Sequence, residues 1–377
     1  MNTIRFSLCC LLASVLAEAG SGRLGAAVLR PGDIVAVALQ AVFRVDPVTG
    51  DRTIISDNAT GSGPAFAFLS NVVVEATGNI FLTDRGDGDT VARILEVDPA
   101  TGDRRLVAGN GVGTTPQEFA VPVDIVVEPE GTLLVLDGGR NVVFRVDPRT
   151  GDRVILSGMD NGGGAPFPDV ESLAVDSSGA IYVGADEGPP LFQVEALTGD
   201  RTIIPDGTGP RVDVGEAIAI GAGGDLLVVA GVGADDGILR VDPVTGNRQI
   251  VTGGAVGSGP IFEIVSAIDR DERENIFVAE WNAQAIFHVD PATGNRTILS
   301  SSTVGSGPAM GSLRALAVVP VPEPSALALV LSGLSSVLAA TAARKRWALR
   351  GSGSQKLSRG CQRDLATLWG KCNTSAV

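Results

Sequence analysis

Six copies of one phrase run through the chain: FRVDPVTGDR from Phe43, LEVDPATGDR from Leu95, FRVDPRTGDR from Phe144, FQVEALTGDR from Phe192, LRVDPVTGNR from Leu239 and FHVDPATGNR from Phe287. Measured at their acidic residue (Asp46, Asp98, Asp147, Glu195, Asp242, Asp290), the copies lie 52, 49, 48, 47 and 48 residues apart. That period suits a four-stranded propeller blade. Each copy reads as the third strand, a tight turn and the start of a fourth strand. The Asp caps turn amides, the Pro presets the backbone after it, and the Gly supplies a positive φ. A feature present in every blade is scaffold rather than site. The Arg that closes each phrase (Arg52, Arg104, Arg153, Arg201, Arg248, Arg296) is expected to be an exposed cross-strand partner of the turn acids, of modest energetic value.

Blade two shows the remaining strands: Asn71 to Glu75, Gly78 to Thr83, Arg93 to Val97 and Arg104 to Ala108, joined by turns at Thr77-Gly78 and Thr101-Gly102. Asp33 to Ile55 holds only three strands. The missing one is expected at Ala315 to Val319, where Ala-Leu-Ala-Val matches Ser172-Leu173-Ala174-Val175, so that a C-terminal strand completes the N-terminal blade and leaves no open edge. The fold class read from these residues is all-β, a six-bladed propeller over residues 31–320.

Between Pro31 and Pro320 there are 40 Asp and Glu against 18 Arg and no Lys, a formal charge of −22. A polyanion such as nucleic acid is excluded as a partner by this balance, and Schiff-base chemistry lacks its lysine. The only His, His288, sits in a slot taken elsewhere by Arg44, Glu96, Arg145, Gln193 and Arg240, and is expected on the surface. No Cys lies in the propeller: Cys9 and Cys10 precede it, and Cys361 and Cys372 follow it. A His-rich zinc site and a Cys nucleophile therefore lack residues.

Function in a repeat fold is sought where the repeats differ. At the end of the second strands the chain offers Ala38, Asp84, Asp137, Asp186 beside Ala185, Ala230 and Glu280. Just before the first strands it offers Ser70, Val123, Glu171, Glu216, Ser266 and Arg314. Both positions belong to one mouth of the central channel. The ligand-binding set is thus Asp84, Asp137, Glu171, Glu216, Glu280, Trp281, Asn282 and Arg314, able to hold a polar ligand or Ca²⁺ through oxygen ligands, with a hydrated acidic funnel as the plain alternative. Asp84-Arg85-Gly86-Asp87-Gly88-Asp89 has alternating acids but no downstream bidentate Glu, and reads as a Gly-rich turn. The Gly-Ser-Gly-Pro runs at Gly61, Gly257 and Gly305 read as rigid connections between blades.

Both ends carry processing signals. Arg5 precedes an apolar run from Phe6 to Ala17, and Ala17-Glu18-Ala19 has the small-x-small pattern of a signal peptidase site, so residues 1–19 read as a signal peptide. Pro322-Glu323-Pro324 precedes 19 mostly apolar residues, Ser325 to Ala343, and then Arg344-Lys345-Arg346. As a helix at roughly 1.5 Å per residue, that run reaches about 28 Å, against roughly 30 Å for a hydrocarbon core, and the basic triplet orients it. Residues 347–377, rich in Gly, Ser and basic side chains, read as a disordered tail.

The arrangement over residues 321–346 resembles the PEP-CTERM sorting signal. That resemblance implies export, transient anchoring in the inner membrane through the C-terminal helix, and cleavage by an exosortase-like processing enzyme, with release to the cell surface or extracellular matrix. In that family the basic stop usually closes the chain, whereas 31 residues follow Arg346 here. The strand pattern of Val72 to Leu82 and Ile268 to Val278 resembles NHL-type propellers and the wider SMP-30/gluconolactonase-like group, from about Asp33 to Val319. The NHL likeness implies a non-enzymatic binding or structural propeller, with an envelope protein or exopolysaccharide as partner. The gluconolactonase likeness implies the alternative, a calcium-dependent lactone hydrolase at the channel mouth. In it Glu171 or Glu216 would stand for the family's Glu and Asp84, Asp137 or Asp269 for its Asp, while Asn71 and Asn282 fall in no clear family motif.

Overall fold

The computed structural model describes residues 28–88, 91–109, 111–114, 117–186, 190–212, 215–232 and 235–321. The expected signal peptide, the Pro322-Glu323-Pro324 motif, the helix over 325–343, the basic triplet and the tail lie outside the described residues.

Six four-stranded antiparallel sheets form the described region. Blade 1 takes β1 (Ile34–Ala38), β2 (Ala41–Val45) and β3 (Arg52–Asp57) from the N-terminal side. Blade 2 is β4 (Leu69–Val74), β5 (Ile80–Asp84), β6 (Arg93–Val97) and β7 (Arg104–Gly109). Blade 3 is β8 (Pro122–Val127), β9 (Leu133–Asp137), β10 (Val142–Val146) and β11 (Arg153–Ser157). Blade 4 is β12 (Val170–Val175), β13 (Ile181–Ala185), β14 (Leu191–Val194) and β15 (Arg201–Ile203). Blade 5 is β16 (Ala217–Ile220), β17 (Leu226–Val232), β18 (Asp235–Val241) and β19 (Arg248–Thr252). Blade 6 is β20 (Val265–Arg270), β21 (Ile276–Glu280), β22 (Ala285–Val289) and β23 (Arg296–Ser300). The last strand, β24 (Ala315–Val318), pairs with β1, Ile34 opposite Val318 and Val37 opposite Ala315, which completes blade 1 as expected.

Burial follows strand position. The second strand of blades 2, 3, 4 and 6 (IFLTD, LLVLD, IYVGA, IFVAE) is buried along its whole length because both its faces meet neighbouring blades. The core accordingly lies in the seams: Phe81 and Ile94 of blade 2 pack in one cluster with Ile125, Leu133 and Phe144 of blade 3.

The repeated turn behaves as its residues predict. Asp46 Oδ1 accepts the amides of Val48 and Thr49 at 2.9 and 3.0 Å, and Glu195 does the same for Leu197 and Thr198 in the copy without Asp. Gly50 has φ of +72°, and a Cβ there would stand 1.9 Å from the carbonyl oxygen of Leu299 on blade 6, so the turn is also an interblade contact. Those backbone bonds hold Asp46 and Glu195 below their ordinary carboxylate range.

The closing arginines correct the sequence expectation. All six are buried, and each reaches into the loop that joins its blade to the preceding one, four of them also to a hydroxyl on that blade's last strand. Arg201 donates to Ser157 Oγ at 2.9 Å, to the carbonyls of Gly158 and Asn161 at 2.8 Å and to that of Ala165 at 2.7 Å, with Phe167 5.2 Å beneath the guanidinium. Ser157 in turn donates to the Gly199 carbonyl. Arg104 repeats the arrangement on Ser56, Thr60 and Pro64, and Arg296 on Thr252, Val256 and Pro260. Arg52 applies it to Ser300, Val304 and Pro308, so blade 1 grips blade 6 through a side chain as well as through β24. The Gly-Ser-Gly-Pro runs are the loops being gripped: Asp103 accepts both the amide and the hydroxyl of Ser62 at 2.7 Å. Where the serine is missing the grip changes, with Arg153 paired to Glu118 and Arg248 to Asp206. Only a buried guanidinium has five donors in a plane to satisfy so many loop carbonyls.

His288 is half-buried rather than on the surface, its Nε2 3.1 Å from Asn275 Oδ1. Its slot pairs with the turn between the first and second strands: Arg44 meets Asp33 and Arg145 meets Glu128.

Replacing Arg201 strands four acceptors in a seam, and each uncompensated buried acceptor costs about 1–3 kcal/mol, some of it recovered by water. Arg201→Met is therefore expected to lower unfolding free energy by about 2–4 kcal/mol in urea melts, whereas Arg149→Met, at an exposed turn position, should stay within about 0.5 kcal/mol. Equal effects would overturn the assignment of these arginines to the seams.

Candidate functional site at the channel mouth

A central channel of about 1180 Å³ runs between the innermost strands. Its functional end is built by one local device. The pairing of first and second strands skips one residue between Leu69 and Asn71, Pro122 and Asp124, Val170 and Ser172, and Val265 and Ala267. The residues in those bulges are Ser70, Val123, Glu171 and Ser266, and all line the channel; Glu216 and Arg314 hold the corresponding place just before β16 and β24. A bulge re-aims the extra side chain out of the sheet, here into the lumen.

The acids at the ends of the second strands have a different task. Asp84, Asp137 and Glu280 are buried in the wall and do not line the channel. Asp84 accepts the amides of Ala67 and Phe68 and pairs with Arg93 at 2.9 Å. Asp137 accepts those of Ala120 and Val121 at 2.6 and 3.0 Å, and Glu280 those of Ile264 and Ala283. They pin the loop that leads into each bulge, and so set where the lumenal residue points. Asn282 is exposed and donates to Glu263 at 2.9 Å, while Trp281 lies against Arg314 with the guanidinium 5.7 Å from the ring centroid. Of the eight residues singled out in the sequence, Glu171, Glu216 and Arg314 thus meet in the lumen, with Trp281 beside them.

Two further groups complete the mouth. Asp186, directly after β13, lines it on blade 4, and Arg85, directly after β5, lines it on blade 2. The sequence signal for Arg85 was present, since it follows the strand-ending Asp84, but the Gly-rich loop around it drew attention to the acids instead.

The resulting charge pattern is sided. Arg314 on blade 1 and Arg85 on blade 2 face Glu171 and Asp186 on blade 4 and Glu216 on blade 5. The Arg314 guanidinium is held between Phe68, at 5.0 Å, and Trp281. The Nε atoms of Arg85 and Arg314 are buried without a hydrogen-bond partner among the described residues. Burial lowers the Arg85 pKa, Glu171 raises it and Arg314 lowers it again, so the three sense one another. Glu216 is exposed to the lumen yet hemmed in by the concave wall. That desolvation, reinforced by Asp236, Asp186 and Glu171, pushes its pKa up to about 7.

Deeper in the wall, Asp124 accepts Asn71 Nδ2 and the Leu173 amide, both at 2.7 Å, and so ties the inner strands of blades 2, 3 and 4. Asp269 accepts the Val318 amide at 2.8 Å and ties blade 6 to the closing strand. Burial outweighs these bonds and raises Asp124 to about 7 and Asp269 to about 6. Calcium asks for six or more oxygen ligands within about 2.6 Å. Among the described residues no group of three or more acidic, His or Cys side chains is placed to hold a metal ion, and three of the acids first considered are occupied by backbone amides.

No family model matches the chain, and no curated protein matches it. Solved structures do share its fold. A chain in the crystal structure of a nidogen/laminin complex aligns with a TM-score of 0.58 at 11% identity, over 76% of this chain and 97% of that one. TolB from Acinetobacter baumannii aligns with a TM-score of 0.55 at 14% identity, over 77% of this chain and 67% of that one. At such identities the likeness is one of fold, and it agrees with a six-bladed β-propeller of four-stranded blades, all-β throughout its described strands.

The titrations predict a stability optimum. Turn acids with lowered pKa, such as Asp46 and Asp242, contribute stability above their unfolded pKa that is lost as pH falls. Asp124, Asp269 and Glu216, with raised pKa, bind more protons folded than unfolded, so stability falls as pH rises from about 4 to about 7. The melting temperature should peak at mildly acid pH, and Asp124→Asn should flatten the decline above the peak. A decline unchanged in that variant would remove Asp124 as its source.

Proposed function

We propose that this chain is an exported, non-enzymatic binding propeller of the bacterial envelope or exopolysaccharide matrix, with its ligand held at the channel mouth. The observation that carries the reading is the division of labour in the repeats. Residues common to all blades are spent on turns and seams, whereas the lumenal position takes Ser, Val, Glu or Arg and collects unlike charges at one opening. A propeller that keeps its frame and varies the residues turned into one opening is organised to bind at that place.

Export is supported by the sequence: the signal-peptide-like start and the Pro322-Glu323-Pro324, apolar, Arg344-Lys345-Arg346 ending, similar to PEP-CTERM signals. On this reading an exosortase-like enzyme processes the chain after it has been anchored in the inner membrane. The neighbour from the nidogen/laminin complex comes from a structure in which proteins of those names are assembled together, which agrees with a propeller that works by binding. A calcium-dependent hydrolase is the reading that the lumenal carboxylates would serve if a metal bound them, and the same experiment separates the two.

The full chain, produced in a host with an exosortase and in one without, should be shortened near Pro322 and released only in the first, while deletion of Pro322-Glu323-Pro324 should retain it in the membrane fraction. Retention in neither host would overturn the sorting assignment. Melting in EDTA and in millimolar Ca²⁺ should give one temperature. A saturable rise lost in both Glu171→Ala and Glu216→Ala would instead establish a metal at the mouth and turn the search to lactone and ester substrates.

A further inference from the structure

The mouth carries more than a general capacity to bind. Its two poles sit on opposite sides of the ring: Arg314 and Arg85 on blades 1 and 2, and Glu171, Asp186 and Glu216 on blades 4 and 5. In a six-bladed ring the blades between them are 3 and 6, and their lumenal side chains at this end are Val123 on one side and Ile264 with Ser266 on the other. Ile264 is 44% exposed, a large apolar side chain that lines the channel. The cavity therefore offers two guanidinium donors at one edge, carboxylate acceptors at the other and apolar surface between.

Arg85 already senses Glu171 as a counter-charge, and each pole keeps charge that this attraction leaves unmet. The Nε donors of Arg85 and Arg314 are buried and lack hydrogen-bond partners among the described residues, and the two guanidinium groups repel each other. An anion shared between the two guanidinium groups would remove the repulsion. At the other pole Glu216 stands close enough to Asp236, Asp186 and Glu171 to resist ionising beside them, so a cation placed there would relieve like-charge crowding. A simple anion would meet the carboxylates and a simple cation the arginines. A single molecule with both charges, set apart by an apolar spacer, answers both poles and the wall between them.

We propose that the channel mouth is a binding site for a dipolar ligand of the ω-amino carboxylate type, its carboxylate on Arg85 and Arg314 and its ammonium among Glu171, Asp186 and Glu216. The inference rests on the mouth being a binding site and is independent of export, sorting and the matrix. Two sources share this chemistry: a free ω-amino acid, and the C-terminal lysine of a polypeptide, which carries a main-chain carboxylate and a side-chain ammonium on a methylene spacer.

Calorimetric titration of the full chain tests it with the probes 6-aminohexanoate, hexanoate and hexylammonium, and with shorter and longer ω-amino carboxylates to find the span. The dipolar probe should bind on the order of tenfold more tightly than either monopole, the worth of one further charge-assisted contact. Binding at pH 7 should release protons as Glu216, which faces Glu171, Asp186 and Asp236, ionises against the ammonium, and this is read from the heat in buffers of different ionisation enthalpy. Arg85→Gln should cost the dipolar probe its advantage over hexylammonium, and Glu216→Gln its advantage over hexanoate. The two sit on separate blades, so failure of one variant to fold leaves the other decisive. A peptide ending in lysine, against the same peptide amidated, identifies the source: binding by the free-ended peptide alone assigns a polypeptide terminus, and binding by the amino acids alone a free small molecule. Equal binding of dipole and monopoles, or saturable binding by none of these probes, would overturn the proposal. Capture of an envelope protein or exopolysaccharide by the chain in that event would still leave the broader binding function standing.

Discussion

One buried guanidinium per blade holds this propeller together. Arg201 donates to a serine and three carbonyls of the preceding blade and its connecting loop, Arg52, Arg104 and Arg296 make the same kind of grip, and Arg153 and Arg248 hold their loops through Glu118 and Asp206. These loops have few apolar side chains to bury and many backbone carbonyls to satisfy, so hydrophobic packing alone would leave the seams with unpaired acceptors. The close approach of turn to neighbouring blade explains the glycine of each phrase as well, because at Gly50 any side chain would collide with the Leu299 carbonyl. Closure follows the same rule twice over, through the β24 ladder and through Arg52 on the loop after β23.

A rigid ring lets a small local irregularity become a site. The bulge in the first strands of blades 2, 3, 4 and 6 turns one residue of each into the lumen, and the acids that end several second strands pin the loop before it. Because the device is independent of the side chain it presents, Ser70, Val123, Glu171, Ser266 and, at the same place, Glu216 and Arg314 can differ without cost to the frame. Their charges fall on opposite sides of the opening as a consequence of which blade carries which residue.

Much of this was legible beforehand, and the failures have physical causes. Counting back from the first strands located Glu171, Glu216 and Arg314, since the repeat itself sets that register. Asp84, Asp137 and Glu280 were placed at the right level of the ring but assigned to the lumen, while strand alternation and the pull of unpaired loop amides turn them into the wall. A charge that follows a turn usually pairs at the surface with a nearby acid, and the six arginines depart from that rule because the loops beside them offer buried carbonyls. The warning was in the repeats: Arg stands at that position in all six copies, whereas the exposed or half-buried slot in the third strand takes Arg, Glu, Gln or His. Arg85 was passed over because a Gly-rich loop gives no period by which to place a side chain.

The sequence by itself determined the number of blades, the turn chemistry and the strand that closes the ring, because these depend on short-range pattern: a period near 48 residues, a hairpin that needs Asp and Gly, and a first blade one strand short. Only the tertiary structure decided which polar side chains bridge blades and which face the channel. Those outcomes depend on contacts between residues some 40 to 250 positions apart, as in Arg201 with Ser157 or Arg52 with Val304. They also depend on a one-residue bulge whose direction is set by pairing across strands. A local pattern states what a residue can do; the curvature of the closed ring settles what is near enough for it to act upon.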